Sequence, residues 1–279
     1  MSGTTLAFDQ GGTKLAAALV DGDTIVERTT RPTRREAGPD GWIDDMVAIA
    51  RAWDGRFETV GVAATGHVHE GIWSALNRKT LDIDEEVRLV ERLRARLGKP
   101  VLARNDAQAA AWGEYRFGAA RSADMAFITV STGVGGGLVL NGRLVSGHAG
   151  LAGHVGQIPV STRPLEDDAG GRSIAAAAAA AGHAVDARRV FDAATGGAVW
   201  AEGIVAHSAR RIARLCETLQ AILDLQLIVV GGSIGLADGY LARVDDALAP
   251  CVHGLRPSLV RAARGADAGL LGIADLASS

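Results

Sequence analysis

Short apolar runs set between glycine turns dominate the pattern of this chain. Leu6-Ala7-Phe8-Asp9 leads into Gly11-Gly12-Thr13-Lys14, then a second apolar run and the pair Asp21-Gly22. About 120 residues later, Phe127-Ile128-Thr129-Val130 leads into Ser131-Thr132-Gly133-Val134-Gly135-Gly136-Gly137, another apolar run and Asn141-Gly142. Each stretch reads as a strand, a glycine-rich turn, a second strand and a tight Asp-Gly or Asn-Gly turn. Residues 40–53 have helical spacing, with Trp42, Met46, Ile49 and Ala50 on one face and Pro39 just before them. Residues 60–64 form a short apolar strand ending at Thr65-Gly66. Asp84 is placed to cap a helix running to Leu97, with Val87, Val90, Leu93 and Leu97 apolar and Gly98 closing it. Residues 101–103 are strand-like and lead into Asn105-Asp106, with a helix from Ala107.

The second half follows the same logic. The alanines of 175–181 predict a tightly packed structural helix, and residues 201–223 a long amphipathic one. Residues 227–230 read as a buried strand ending in Gly231-Gly232-Ser233, and a last helix covers about 269–276. Such alternation predicts an α/β protein built on largely parallel sheets with covered faces. Glycines between two strands let the backbone approach a ligand closely and aim successive N–H groups at it, which suits phosphate oxygens. Two such turns, one per half, point to a nucleotide phosphate chain held between two related lobes.

Composition narrows the class. Hydrophobic residues make up 48% of the chain and aromatics only 4%, a profile of α/β enzymes rather than of disordered or all-β proteins. A net charge of −3 removes any general electrostatic attraction to nucleic acid. Cys216 and Cys251 are the only cysteines; they build neither a disulfide framework nor a cysteine-rich zinc site, and they lean toward a reducing cytoplasm. An acid and a glycine turn interrupt the first apolar run, so no signal peptide is read there. No stretch is apolar enough to span a bilayer, and no membrane partner is expected.

Two common nucleotide signatures are missing. The only Gly-Lys is Gly98-Lys99, followed by Pro100, which breaks the Walker pattern, and no glycine triplet has the dinucleotide spacing. Asp9 at a strand end suits the hydration shell of a Mg²⁺, while Thr13 and Lys14 can donate to phosphate oxygens. Asp106 reads either as a helix N-cap or as a carboxylate poised at a strand end for proton transfer.

Taken in order, Asp9-Gln10-Gly11-Gly12-Thr13-Lys14, Asn105-Asp106, residues 131–137, residues 150–156 and Gly231-Gly232-Ser233 resemble the ROK family of bacterial sugar kinases. The resemblance runs from residue 4 to Asp267-Ala268-Gly269-Leu270-Leu271-Gly272. It implies a two-lobed actin-like ATPase (ribonuclease H-like) fold with nucleotide and sugar in a cleft between the lobes. The lobes are expected at 1–106 and 107–279, with the last helix, about 267–279, packing back on the first. Within the family the chain is most similar to the N-acetylmannosamine kinases, through residues 105–112, 127–137, 150–154 and 229–236.

That similarity implies ATP- and Mg²⁺-dependent phosphorylation of the 6-hydroxyl of N-acetylmannosamine, in sialic acid catabolism, by a cytoplasmic homodimer. A glucokinase or other hexose kinase is the alternative, and a sugar-sensing degenerate kinase the non-enzymatic one. Asp106 is implied as general base. Thr65, Gly66, Asn77, Asn105, His154, Gln157 and Glu166 are implied on the sugar side, together with Asp106. On the nucleotide side stand Asp9 (through a Mg²⁺-bound water), Gly11, Gly12, Thr13, Lys14, Thr132, Gly133, Gly135, Gly231 and Gly232.

One departure stands out. Most ROK kinases carry Glu-x-Gly-His, a Cys-x-Cys-Gly-x-x-Gly-Cys zinc loop and a second Glu. Here the stretch reads His154-Val155-Gly156-Gln157, Gln157 replaces the zinc-binding histidine, and all three loop cysteines are absent. Only residues 158–165 separate Gln157 from Glu166, which aligns with the second Glu because Gly171-Arg172 follow at the family's distance. No structural zinc is expected. Gln157 keeps a donor and an acceptor with which to reach a sugar hydroxyl. His67 and His69 read as ordinary loop histidines near the sugar side.

Overall fold

Thr5–Gln10 (β1) pairs antiparallel with Lys14–Asp21 (β2), whose six central residues are all buried. The structure is a computed structural model that describes residues 3–78, 80–159, 163–252 and 254–279. It divides into two compact units, Met1–Gly118 with Ser146–Ala152 and Ala266–Ser279, and Ala119–Val145 with Gly153–Gly265.

In the first unit, β2 turns at Asp21-Gly22 into Thr24–Pro32 (β3), with Gly22 at φ 58°. Thr59–Ala64 (β4) lies parallel to β1 on its other side. After a short hairpin, His67–His69 (β5) and Ile72–Ser74 (β6), Val101–Asn105 (β7) completes the sheet in the order β3-β2-β1-β4-β7. The burial of β2 on both faces has a simple origin. Leu15, Ala17 and Leu19 enter a core with Trp42, Ile43 and Met46 of the helix Gly38–Ala52 (α1). Ala16, Ala18 and Val20 face a second core with Leu270, Leu271 and Ile273 of the closing helix Ala268–Ser278. Alternate residues of a strand point to opposite faces, and a sheet covered on both sides reads as an unbroken apolar run.

The helix expected from Asp84 begins later, at Leu89–Leu97 (α2). Val87 is buried, but as backbone pairing rather than as a helix face: its N–H and C=O bond those of Trp73 at 2.9 and 2.8 Å. Strand pairing with a distant residue outweighed the local helical spacing.

Asp106–Phe117 (α3) belongs to the first unit. The closing helix packs along it so tightly that a Cβ at Gly272 would overlap the carbonyl oxygen of Ala109, and one at Gly113 that of Ala268. The first unit accordingly runs through α3 to Gly118.

The second unit repeats the design. Met125–Val130 (β8), Val134–Leu140 (β9) and Arg143–Val145 (β10) form an antiparallel meander. Leu227–Gly231 (β11) and Leu259–Arg261 (β12) add parallel strands, giving β10-β9-β8-β11-β12. Its helices are Glu166–Ala169 (α4), Gly171–Ala180 (α5), Ala187–Thr195 (α6), Val199–Leu223 (α7), Gly232–Gly235 (α8) and Tyr240–Ala247 (α9). Val205, Ile212, Leu215 and Leu219 of α7 fill the core over Ile128, Ile228 and Val230. The alanine run corrects one expectation. In α5 only Ile174 and Ala178, with the leading Gly171, are buried, and Ala176, Ala177, Ala179 and Ala180 are exposed. Alanine's propensity holds these turns in helix without tight packing.

Candidate active site

In the first unit the chain places a carboxylate at the junction of β7 and α3. Asn105, not Asp106, caps the helix: its side-chain oxygen accepts the N–H groups of Ala107 and Gln108 at 3.0 and 3.1 Å. Its amide nitrogen donates to the carbonyl of Gly66 at 2.7 Å and to Asp106 Oδ1 at 3.0 Å. All four hydrogen-bonding capacities of this buried Asn are thus used within the unit, and a bond to a sugar hydroxyl means exchanging one of them. Asp106, as first helical residue, is left half-exposed with its carboxylate held at both oxygens. Ala107 N–H donates to Oδ1 at 2.8 Å and the Thr65 hydroxyl to Oδ2 at 2.7 Å. Thr65 is itself fixed by Trp73, whose indole N–H donates to the Thr65 carbonyl at 2.8 Å. Gly66 follows at φ 103°, where a side chain would strike the carbonyl of Ser74.

Asp9 lies on β1 in register with Ala16 and Ala63. Burial and the charge of Asp106 push its carboxyl up to about 7, against the pull of Lys14. An acid so short of positive charge fits the hydration shell of a divalent cation, which would relieve both causes. In the turn after β1, Gly11 N–H closes on the Lys14 carbonyl at 2.9 Å, and Thr13 and Lys14 are exposed. Gly12 passes so close to the carbonyl of Thr80 that a Cβ there would overlap it. Asn77 accepts the N–H of Thr80 on its carbonyl at 2.9 Å, which places its loop against that turn.

Two residues of this unit were not legible as participants. Gln108 is fully buried and donates to the carbonyls of Gly150 and Ala152 at 3.1 and 2.9 Å, tying residues 146–152 to α3. His67, read as an ordinary loop histidine, reaches the carbonyl of Ala149 through Nε2 at 2.6 Å. A carbonyl only accepts, so Nε2 carries the proton. His69 stacks on it with ring centroids 6.1 Å apart.

In the second unit, Ser131 N–H closes the glycine turn on the Gly133 carbonyl at 2.9 Å, a parallel to Gly11 and Lys14. The first amides of α5 brace it: Gly171 N–H donates to Ser131 and Arg172 N–H to Thr132, at 2.7 and 3.1 Å. Gly135 lies within β9, opposite Thr129. Gly231 ends β11 where a Cβ would stand 2.8 Å from the ring of Phe127, and Gly232 turns into α8 at φ 84°. The Ser131 and Ser233 hydroxyls meet at 3.0 Å, joining the two glycine segments.

His154 is half-buried and leads into the short turn Val155–Gln157. The Gln157 amide donates to Glu166 Oε1 at 2.7 Å, so this nitrogen serves the carboxylate rather than standing ready for a hydroxyl. Arg172, noted in the sequence only for its spacing, lies 3.6 Å from Oε2 of the same acid. Residues 160–162 of the shortened loop lie outside the described residues. Among the described residues no three His, Cys, Asp or Glu side chains are grouped as metal ligands, and no helix is long and apolar enough to cross a membrane.

The ROK family model matches residues 5–279. The bifunctional enzyme NanE/NanK of Brucella melitensis is 48% identical over 282 residues, covering 100% of this chain and 54% of its own length. The chain thus spans about half the length of that relative. The N-acetylmannosamine kinase of Citrobacter koseri is 44% identical over 287 residues, with 98% of each chain covered. Among solved structures, the ROK family glucokinase of Streptomyces griseus in complex with glucose and AMPPNP superimposes with a TM-score of 0.84, at 29% identity and 99% coverage of both chains. The fold is the two-lobed actin-like ATPase fold of such kinases.

Proposed function

The chain belongs to the ROK family, and from that membership we propose that it is an ATP-dependent kinase acting on the 6-hydroxyl of N-acetylmannosamine. The observation that carries the reading is the setting of Asp106. Its carboxylate is half-exposed, oriented by Thr65 and the Ala107 N–H, and backed by a cap that Asn105 already satisfies. A fixed carboxylate that is only partly buried suits acceptance of a proton from an attacking hydroxyl.

On this reading Asp106 takes the proton of the sugar 6-hydroxyl as its oxygen attacks the γ-phosphorus, the bond to the β,γ-bridging oxygen breaks and ADP leaves. Thr65 and Asn105 hold that carboxylate in line. The turns at Gly11-Gly12-Thr13-Lys14 and at Thr132-Gly133 offer backbone N–H groups and the Lys14 ammonium to phosphate oxygens. Gly231 and Gly232 keep side chains away from the adenosine. Asp9 holds the hydration shell of Mg²⁺, which supplies charge neutralisation on the triphosphate when bound. His154 and Glu166 serve the sugar side, as do Gly66 and Asn77, and Gly135 supports the phosphate turn from within its strand. We also assign the protein to the cytoplasm, as a homodimer without structural zinc, in the breakdown of sialic acids.

Glucose is the competing substrate, since the Streptomyces griseus relative is described with it at 29% identity. A panel of N-acetylmannosamine, glucose, mannose and N-acetylglucosamine in a coupled ADP-release assay with Mg²⁺-ATP decides between them. N-acetylmannosamine is expected to give the highest kcat/KM. A higher value for glucose moves the specificity, and no sugar-dependent ADP release from any of them removes the kinase reading.

A further inference from the structure

The loop of residues 158–165 is closed at its neck. Leu165 N–H donates to the carbonyl of Ile158 at 2.9 Å, and Pro159 and Pro164 form an isolated bridge. A loop fastened at its base brings the residues just outside it, Gln157 and Glu166, side by side. The turn before it is pressed onto β9: Val155 and Gly156 are buried, and a Cβ at Gly156 would overlap the carbonyl of Val134. The N-terminal side of the neck is thereby packed against the strand.

Within this frame Glu166 is 7% exposed and gripped at both oxygens. The exposed Gln157 covers it, with the amide nitrogen 2.7 Å from Oε1, and Arg172 approaches Oε2 at 3.6 Å. The same Oε2 lies where a Cβ on Gly133 would be only 2.7 Å away, so the acid sits directly on the glycine turn. No Cys, His, Asp or Glu occurs between 158 and 165, and Cys216 is fully buried in α7. The residues present do not fit a zinc ion.

We infer that Gln157 is a positioning residue that orients Glu166 for sugar binding, a task done here by a neutral amide and a fastened loop with no metal. The inference rests on the sugar-kinase reading, with Glu166 on the sugar side. An amide suits the task because it donates to the carboxylate without adding charge beside it, which fixes a single orientation.

The test uses the full chain with Gln157→Leu and Gln157→Glu, reading sugar KM, kcat, ATP KM, melting temperature and bound zinc. Loss of this charge-assisted hydrogen bond, weakened by the exposure of Gln157, is expected to raise the sugar KM of Q157L roughly tenfold. Its kcat and ATP KM should stay near wild type. Q157E sets a second carboxylate against Glu166, and two carboxylates in contact share a proton. Its sugar KM should therefore recover as pH falls from about 8 to 6, a response absent from Q157L. A purely structural loop residue would lower the melting temperature of both variants without that pH response. Unchanged sugar KM in Q157L, a Q157E profile parallel to wild type, or stoichiometric zinc by elemental analysis overturns the inference. Silence of the wild type on every sugar overturns the kinase reading itself, whereas an active wild type with an unaffected Q157L overturns only the role of Gln157.

Discussion

Asn105 and Asp106 are neighbours that either could have capped α3, and the structure divides the work between them. Asn105 takes the cap, which leaves the partly buried Asp106 carboxylate to Thr65. Asp106→Asn keeps the shape and removes the basic oxygen. Its kcat is expected to fall by at least about a thousandfold, within the range of general-base effects, with sugar affinity within roughly tenfold by calorimetry. Near-full activity in that variant removes Asp106 from the chemistry. Thr65→Val deletes one hydrogen bond to a charged group, about 1.5–3 kcal/mol, so kcat should drop ten- to a hundredfold with smaller change in ATP KM.

Asp9 carries a different burden at the same scale. Its carboxyl is raised to about 7 by burial and by Asp106, so the folded state holds a proton that the unfolded state has released above about 4. The sign follows: Asp9 costs no stability below its unfolded pKa, and the cost grows as pH rises from about 4 through 7. In the absence of nucleotide and Mg²⁺, Asp9→Asn should melt above wild type at pH 8, with the gap narrowing toward pH 5. An equal gap at both pH values would show that the Asp9 charge is not under strain.

At the scale of elements, the closing helix and α3 meet through glycines rather than interlocked side chains. Gly272 and Gly113 each face a backbone carbonyl of the other helix, and Gly61 of β4 admits Ile273 in the same way. A Gly272→Val change forces the two apart. Overpacking of this kind costs about 1–3 kcal/mol or more, so thermal unfolding should shift down by several degrees. Gly182, where nothing stands within 4 Å of a Cβ, serves as the comparison site. It sits at φ 88°, so Gly182→Ala should cost only the backbone strain of that conformation.

Across the whole molecule, two units carry the same strand order, an antiparallel three-strand meander followed by two parallel strands. The first unit is completed from the far end of the chain. Leu270, Leu271 and Ile273 are buried against β1, β2 and β4, and each contributes roughly 2 kcal/mol of burial. Removing residues 266–279 should therefore abolish hydrogen-exchange protection in β1, β4 and α3, while β8 and β11 keep theirs. Equal loss in both units would mean that they do not fold as separate cooperative bodies.

Both strand–turn–strand repeats, α1, α7 and the glycine segments are readable along the chain, because apolar period and turn chemistry are set by residues within a few positions of one another. Phe8, Gly22 and Gly232 announce their roles from their immediate neighbours. Partner choice is another matter. Val87 has helical spacing yet pairs with Trp73; α3 follows β7 yet joins a helix some 160 residues away; Gln157 looks ready for a hydroxyl yet bonds Glu166. Each of these turns on contacts between segments that no local pattern encodes. Local residue order set where strands, turns and chemically able residues lie, whereas contacts between distant segments chose which of them hold one another.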